Sequence, residues 1–141
     1  MQLEPNRHEW WRNLGDAYAE TAQTAPKAEG CYQRALALIE EENQKLENPP
    51  RENLAAEAVY RAKLHDAAGT RRALAAAHIA PNEPALCFRK AVALELIGDR
   101  NGALQAGEEA LHAGFSRTEF ERAPEMQQLL RDPKYIQLKK N

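Results

Sequence analysis

The residues able to carry chemistry are few and scattered. His8, His65, His78 and His112 fall in four separate stretches, with no His-x-x-x-His and no Cys-x-x-Cys spacing among them. A metal site needs several ligands converging on one point, so no metal is expected. Cys31 and Cys87 stand alone within helical patterns. Neither has an obvious basic neighbour or helix N-terminus to lower a thiol pKa, and both read as small core residues. Ser116 is the sole serine, and no Gly-x-Ser-x-Gly surrounds it. With Glu119 three residues on, it makes a capping-box pattern instead. No glycine-rich phosphate loop occurs, so no nucleotide cofactor is expected. Asp16 and Glu20 lie one helical turn apart and could share a proton, but such pairs are far more often a solvated face. No catalytic residue is assigned, and the chain is expected not to be an enzyme.

The elements that hold these residues are helical. The chain has 141 residues, 43% hydrophobic and only 6% aromatic, with alanine nearly everywhere. Small, helix-favouring side chains suit closely stacked helices rather than sheets. The net charge of -2 argues against a nucleic-acid binder, which carries a basic face. No apolar run of membrane-spanning length occurs, and no membrane partner is expected. The opening Met1-Gln2-Leu3-Glu4-Pro5 lacks the basic head and apolar run of a signal peptide. Together with two isolated cysteines, that points to a reduced, cytoplasmic setting.

Trp11, Leu14, Gly15 and Tyr18 recur at three and four residues and share one helix face. The spacing predicts a first helix from about residue 6 or 7 to Thr21, then a loop at Thr24-Ala25-Pro26. A second helix carries Ala28, Tyr32, Ala35 and Ile39 and runs through the acidic Glu40–Glu42 to about Leu46. Asn48-Pro49-Pro50 stops it, since proline lacks an N–H and pushes the residue before it out of the helical region. Residues 51–81 give a second pair, with Asp66–Thr70 as the turn. Residues 82–114 give a third, with Asn82 as its cap, Gly98–Gly102 as its turn and Gly114 as a C-terminal cap. Beyond lie short helices opened at Ser116, Pro124 and Asp132-Pro133.

The run Trp11-Arg12-Asn13-Leu14-Gly15-Asp16-Ala17-Tyr18, completed by Ala28, Tyr32 and Ala35, resembles the first helix pair of a tetratricopeptide repeat. The third pair carries the likeness more faintly. The second is degenerate, with Asn53 set against Trp11 and Glu57 against Gly15. The resemblance implies an all-α right-handed superhelix forming a single domain over residues 1–141. Its repeats span about 8–47, 50–81 and 84–114, and a C-terminal cap covers 115–141. Leu3-Glu4-Pro5-Asn6 echoes Ile79-Ala80-Pro81-Asn82, which reads as the close of an upstream repeat and makes the chain a fragment of a longer protein. The arrangement is similar to C-terminal segments of bacterial signalling proteins.

In this family the first helix of each pair lines a concave groove. Carrying those positions over gives Glu9, Arg12, Asp16, Ala19 and Glu20, then Arg51, Leu54, Ala58, Arg61 and Ala62, then Ala85, Phe88, Val92, Glu95 and Leu96. The residues singled out for contact are Arg12, Asp16, Leu54, Arg61, Phe88, Val92 and Glu95. The Lys and Asn of the chaperone-tail clamp are missing at these positions. Phe88 and Leu96 could equally pack on the C-terminal helices. The implied function is a non-catalytic scaffold for a protein or peptide. The alternative is self-association through Trp10 and Trp11, since an exposed apolar patch marks an interface.

Overall fold

The chain was described from a computed structural model covering residues 7–140. All regular structure among the described residues is helical. Three antiparallel pairs come first: α1 (His8–Ala19) with α2 (Ala25–Gln44), α3 (Arg51–Lys63) with α4 (Ala67–Ala77), and α5 (Pro84–Leu96) with α6 (Arg100–His112). Next come α7 (Arg117–Arg122), a 3-10 turn at Pro124–Met126, α8 (Gln127–Leu130) and α9 (Pro133–Lys139). The helix α3 packs on both α2 and α5, while the 3-10 turn lies on α5 and α9 on α6. Packing order therefore runs from α1 at one end to α9 at the other. No helix among the described residues is long and apolar enough to cross a membrane. Leu3–Asn6, read as the close of an upstream repeat, lie outside the described residues.

Helix starts differ from the sequence reading at four places, each for a local reason. Pro26 belongs to the first turn of α2, where its missing N–H costs nothing. Asp66 and Asp99 do not open five-residue turns. Each is an N-cap whose carboxylate accepts the N–H three residues on, from Gly69 and Gly102, both at 2.9 Å. The residue before each cap, His65 at φ 64 and Gly98 at φ 86, takes the left-handed conformation that swings the chain around. Asn82 does not cap α5. The Glu83 carboxylate accepts the Ala80 N–H at 2.8 Å and pairs with Arg51, and these contacts hold its carboxyl below the usual range. Ser116 does cap α7, accepting the Glu119 N–H at 3.2 Å.

Small side chains set the helix spacing. Ala35, Ala55, Ala58, Ala91, Ala93, Ala103 and Ala110 are all fully buried. At Gly15 a Cβ would stand 2.8 Å from Tyr32 Cε1, so the α1–α2 approach depends on glycine there. The core has two parts. Ala35, Ile39, Ala56 and Tyr60 join α2 to α3, with Trp11 and Leu36 against them. A larger cluster runs from Ala58 and Val59 through Val92 and Leu104 to Phe120, Met126, Leu129 and Tyr135. Arg100 fastens its far side, gripping Glu95 with two nitrogens at 2.7 Å and Asp132 at 3.0 Å.

Candidate interaction face

One concavity of about 400 Å³ gathers side chains from three helices and the C-terminal segment. Arg12, Asn13 and Asp16 come from α1, and Ala56, Val59 and Tyr60 from α3. The helix α5 adds Ala85, Phe88, Arg89 and Val92. Phe115, Glu119 and Glu125 close the side nearest the C-terminus. Each helix contributes at three- and four-residue steps, so one face of each turns inward.

Of the residues singled out from sequence, Arg12, Asp16, Phe88 and Val92 meet here. Leu54, Arg61 and Glu95 do not line it. Arg61 instead bonds Glu57 at 2.9 Å and Asp66 at 3.1 Å, with Glu40 at 3.6 Å. Burial works against its charge, yet these carboxylates raise its pKa further. Glu95 is spent on Arg100. Phe88 is shared between face and core: its ring stacks on Phe115 at 4.3 Å and meets Phe120 edge-on at 5.7 Å. Leu96 packs on the larger core cluster.

The misplacement on α3 is a slip of one residue. The caps Asp66 and Asp99 lie 33 residues apart, as do Gly69 and Gly102 and the starts of α3 and α5. On that spacing Val59 answers to Val92 and Lys63 to Leu96, while Leu54 answers to Cys87. Setting Asn53 rather than Leu54 against Trp11 rotates α3 by about 100° per residue. That brought Leu54 and Arg61 inward on paper and turned Val59 and Lys63 away. The cap spacing, Asp-x-x-Gly repeated at 33 residues, instead sets Val59 beside Val92, and both line the concavity.

Lys63, unmarked in the sequence reading, is the electrostatic centre. Its side chain is 11% exposed. It donates to Asp16 at 2.8 Å, Glu125 at 3.0 Å and the Tyr32 hydroxyl at 3.3 Å. The ammonium also sits 4.8 Å from the Tyr32 ring centroid, a cation–π distance. Burial opposes its charge, but Glu125 and Asp16 outweigh that and raise its pKa. Four elements, α1, α2, α3 and the 3-10 turn, are tied at this one nitrogen. His8 is half-buried, with Nδ1 2.6 Å from the Tyr60 hydroxyl and Nε2 2.6 Å from Glu9. Burial pushes its pKa down, so the neutral ring accepts from Tyr60 and donates to Glu9.

Burial pushes the phenols of Tyr32, Tyr60 and Tyr135 up to about 12. Hydrogen bonds to Asp16 and Glu121 reinforce this for Tyr32 and Tyr135. The folded chain then keeps protons that the unfolded chain releases above its ordinary tyrosine pKa. Stability is accordingly whole below pH ~10 and lost as pH climbs toward ~12. Urea midpoints at about pH 8 and about pH 11 check this, and a lower midpoint is expected at the higher pH. Equal midpoints would mean that these phenols are not held protonated.

The buried thiols of Cys31 and Cys87 are pushed up by desolvation, and Cys87 donates to the Ala80 carbonyl at 3.2 Å. Both are packing residues, as read from the sequence. Among the described residues, no group of three or more His, Cys, Asp or Glu side chains is placed to hold a metal ion. What the face offers is contact: apolar Val59, Phe88 and Val92 line the same concavity as Arg12 and Arg89. No protein-family model, curated protein or solved structure matches the chain.

Proposed function

We propose that the chain is a tetratricopeptide-like interaction module, and that this concavity binds a peptide or a helix of a partner protein. The observation that carries the reading is an apolar lining shared with two arginines without a carboxylate of their own. Arg51, Arg61, Arg71 and Arg100 all pair with acids. Arg12 bonds only Asn13, at 3.2 Å, and neither Arg12 nor Arg89 makes an ion pair among the described residues. A partner segment with apolar anchors and an acidic group would satisfy both features at once. The repeated Asp caps, the left-handed residues before them and the small residues between helices support a stacked-repeat architecture. A cytoplasmic setting, suggested by two buried unpaired cysteines, belongs to the same proposal.

Peptides selected by display against the whole chain test this. Arg12→Glu and Arg89→Glu, both at the rim and outside the core, are expected to weaken a selected peptide by about tenfold or more, roughly 1.4 kcal/mol. Arg72→Glu, on the exposed side of α4, is expected to leave affinity unchanged. Peptides insensitive to both rim changes would place binding elsewhere.

A further inference from the structure

The three large apolar side chains exposed among the described residues lie at the two ends of the packing order. Trp10 is 47% exposed and Leu46 44%, both in or just after the first helix pair. Ile136, 45% exposed, is on α9. Trp10 is held rather than loose, because its ring meets Trp11 edge-on at 4.9 Å and Trp11 packs on the smaller core cluster. At the other end a hollow of about 390 Å³ is lined by Leu130, Tyr135 and Ile136, with Lys139, Lys140 and Glu121 around them.

The two ends are opposite in charge. Residues 40–47 hold Glu40, Glu41, Glu42 and Glu47 against Lys45, and with Glu40 facing Arg61 of α3 the balance left is -2. Residues 131–140 hold Arg131, Lys134, Lys139 and Lys140 against Asp132, a balance of +3. The acids crowd the C-terminal half of α2, whose last turn carries no base, so they oppose the helix dipole. Glu42 and Glu47 at one end, and Arg131 and Lys140 at the other, make no ion pair among the described residues.

We infer that this chain associates head to tail with a second copy of itself, Trp10 of one copy entering the Leu130–Ile136 hollow of the next. The acidic end of α2 then faces the basic α9 of the neighbour. Tryptophan is among the side chains that most often anchor an interface, and complementary charge on the two surfaces steers and orients the docking. The contact joins two different surfaces, so each copy keeps one end open and the assembly grows beyond a dimer. Nothing in this depends on the concavity between α1, α3 and α5, which stays accessible.

Sedimentation velocity on the whole chain, between about 10 µM and 1 mM, tests the inference. The average mass is expected to rise continuously with concentration and to fall when salt is raised from about 0.05 M to about 0.5 M. Trp10→Asp and Ile136→Asp change exposed positions, and circular dichroism confirms that each variant is folded. Each alone is expected to be monomeric. Mixed, they are expected to form a one-to-one dimer that grows no further, because each supplies the end the other lacks. Self-association of Ile136→Asp alone would overturn the pairing in favour of Trp10 faces meeting each other. A monomer at every concentration would overturn association altogether.

Discussion

Phe120→Ala is expected to lower the unfolding free energy by about 3–5 kcal/mol, the range for emptying a buried aromatic site. Phe120 is fully buried although it sits on the six-residue α7. Its ring stacks on Tyr135 at 5.8 Å with planes 5° apart, and meets Phe88 edge-on. It also fills the space above Gly107, where a Cβ would stand 2.9 Å from Phe120 Cζ. One ring thus joins α5, α6, α7 and α9. Short helices of this kind cannot hold themselves in water, so their order derives from that docking. Urea unfolding gives the magnitude, and amide exchange gives its distribution. Exchange is expected to quicken most from Arg117 to Lys139. A loss under about 1 kcal/mol would contradict the packing of this cap.

Lys63→Met is expected to cost about 1–3 kcal/mol, for a different reason, water reaching Asp16 keeping the loss below that of a fully buried pair. Methionine keeps the stem but leaves the carboxylates of Asp16 and Glu125 facing each other without a cation. The loss is therefore mostly the cost of two acids stranded beside each other, and not the worth of one ion pair. The triple change Lys63→Met, Asp16→Asn and Glu125→Gln, which removes the stranded charge, is expected to recover most of it. Urea unfolding of the single and triple variants reads both numbers. Similar losses in both would mean that Lys63 contributes through its stem rather than its charge.

Local features were legible in the sequence wherever one residue type decides the backbone. Gly114 at φ 107 follows the sixth helix and Ser116 caps the seventh, whereas the second helix ends at Gln44, short of the prolines expected to stop it, and Pro50 instead precedes α3. The Trp11–Tyr18 face is also real, with Gly15 against Tyr32. The rotation of α3 was not legible from signature residues, because its equivalents of Trp11 and Gly15 are Leu54 and Ala58. The long α2 obscured it further: the starts of α1 and α3 lie 43 residues apart, against 33 for α3 and α5. A helix face tolerates no such slip, since a single residue turns it by more than a quarter circle. The Lys63–Glu125 and His8–Tyr60 contacts join residues 62 and 52 apart. They depend on how the pairs stack, and no local pattern encodes that. Phe88 was readable as apolar, but its sharing between Phe115 and the open face needed the position of the C-terminal segment.

The hollow between α1, α3 and α5 is proposed as the place where a partner binds. Amide chemical-shift mapping during titration with a display-selected peptide tests it most directly. The largest changes are expected at Arg12, Val59, Arg89 and Phe115, with α4 and the outer side of α6 silent. Changes centred on Arg71, Arg72 and Gln105 instead, with the hollow unperturbed, would contradict it.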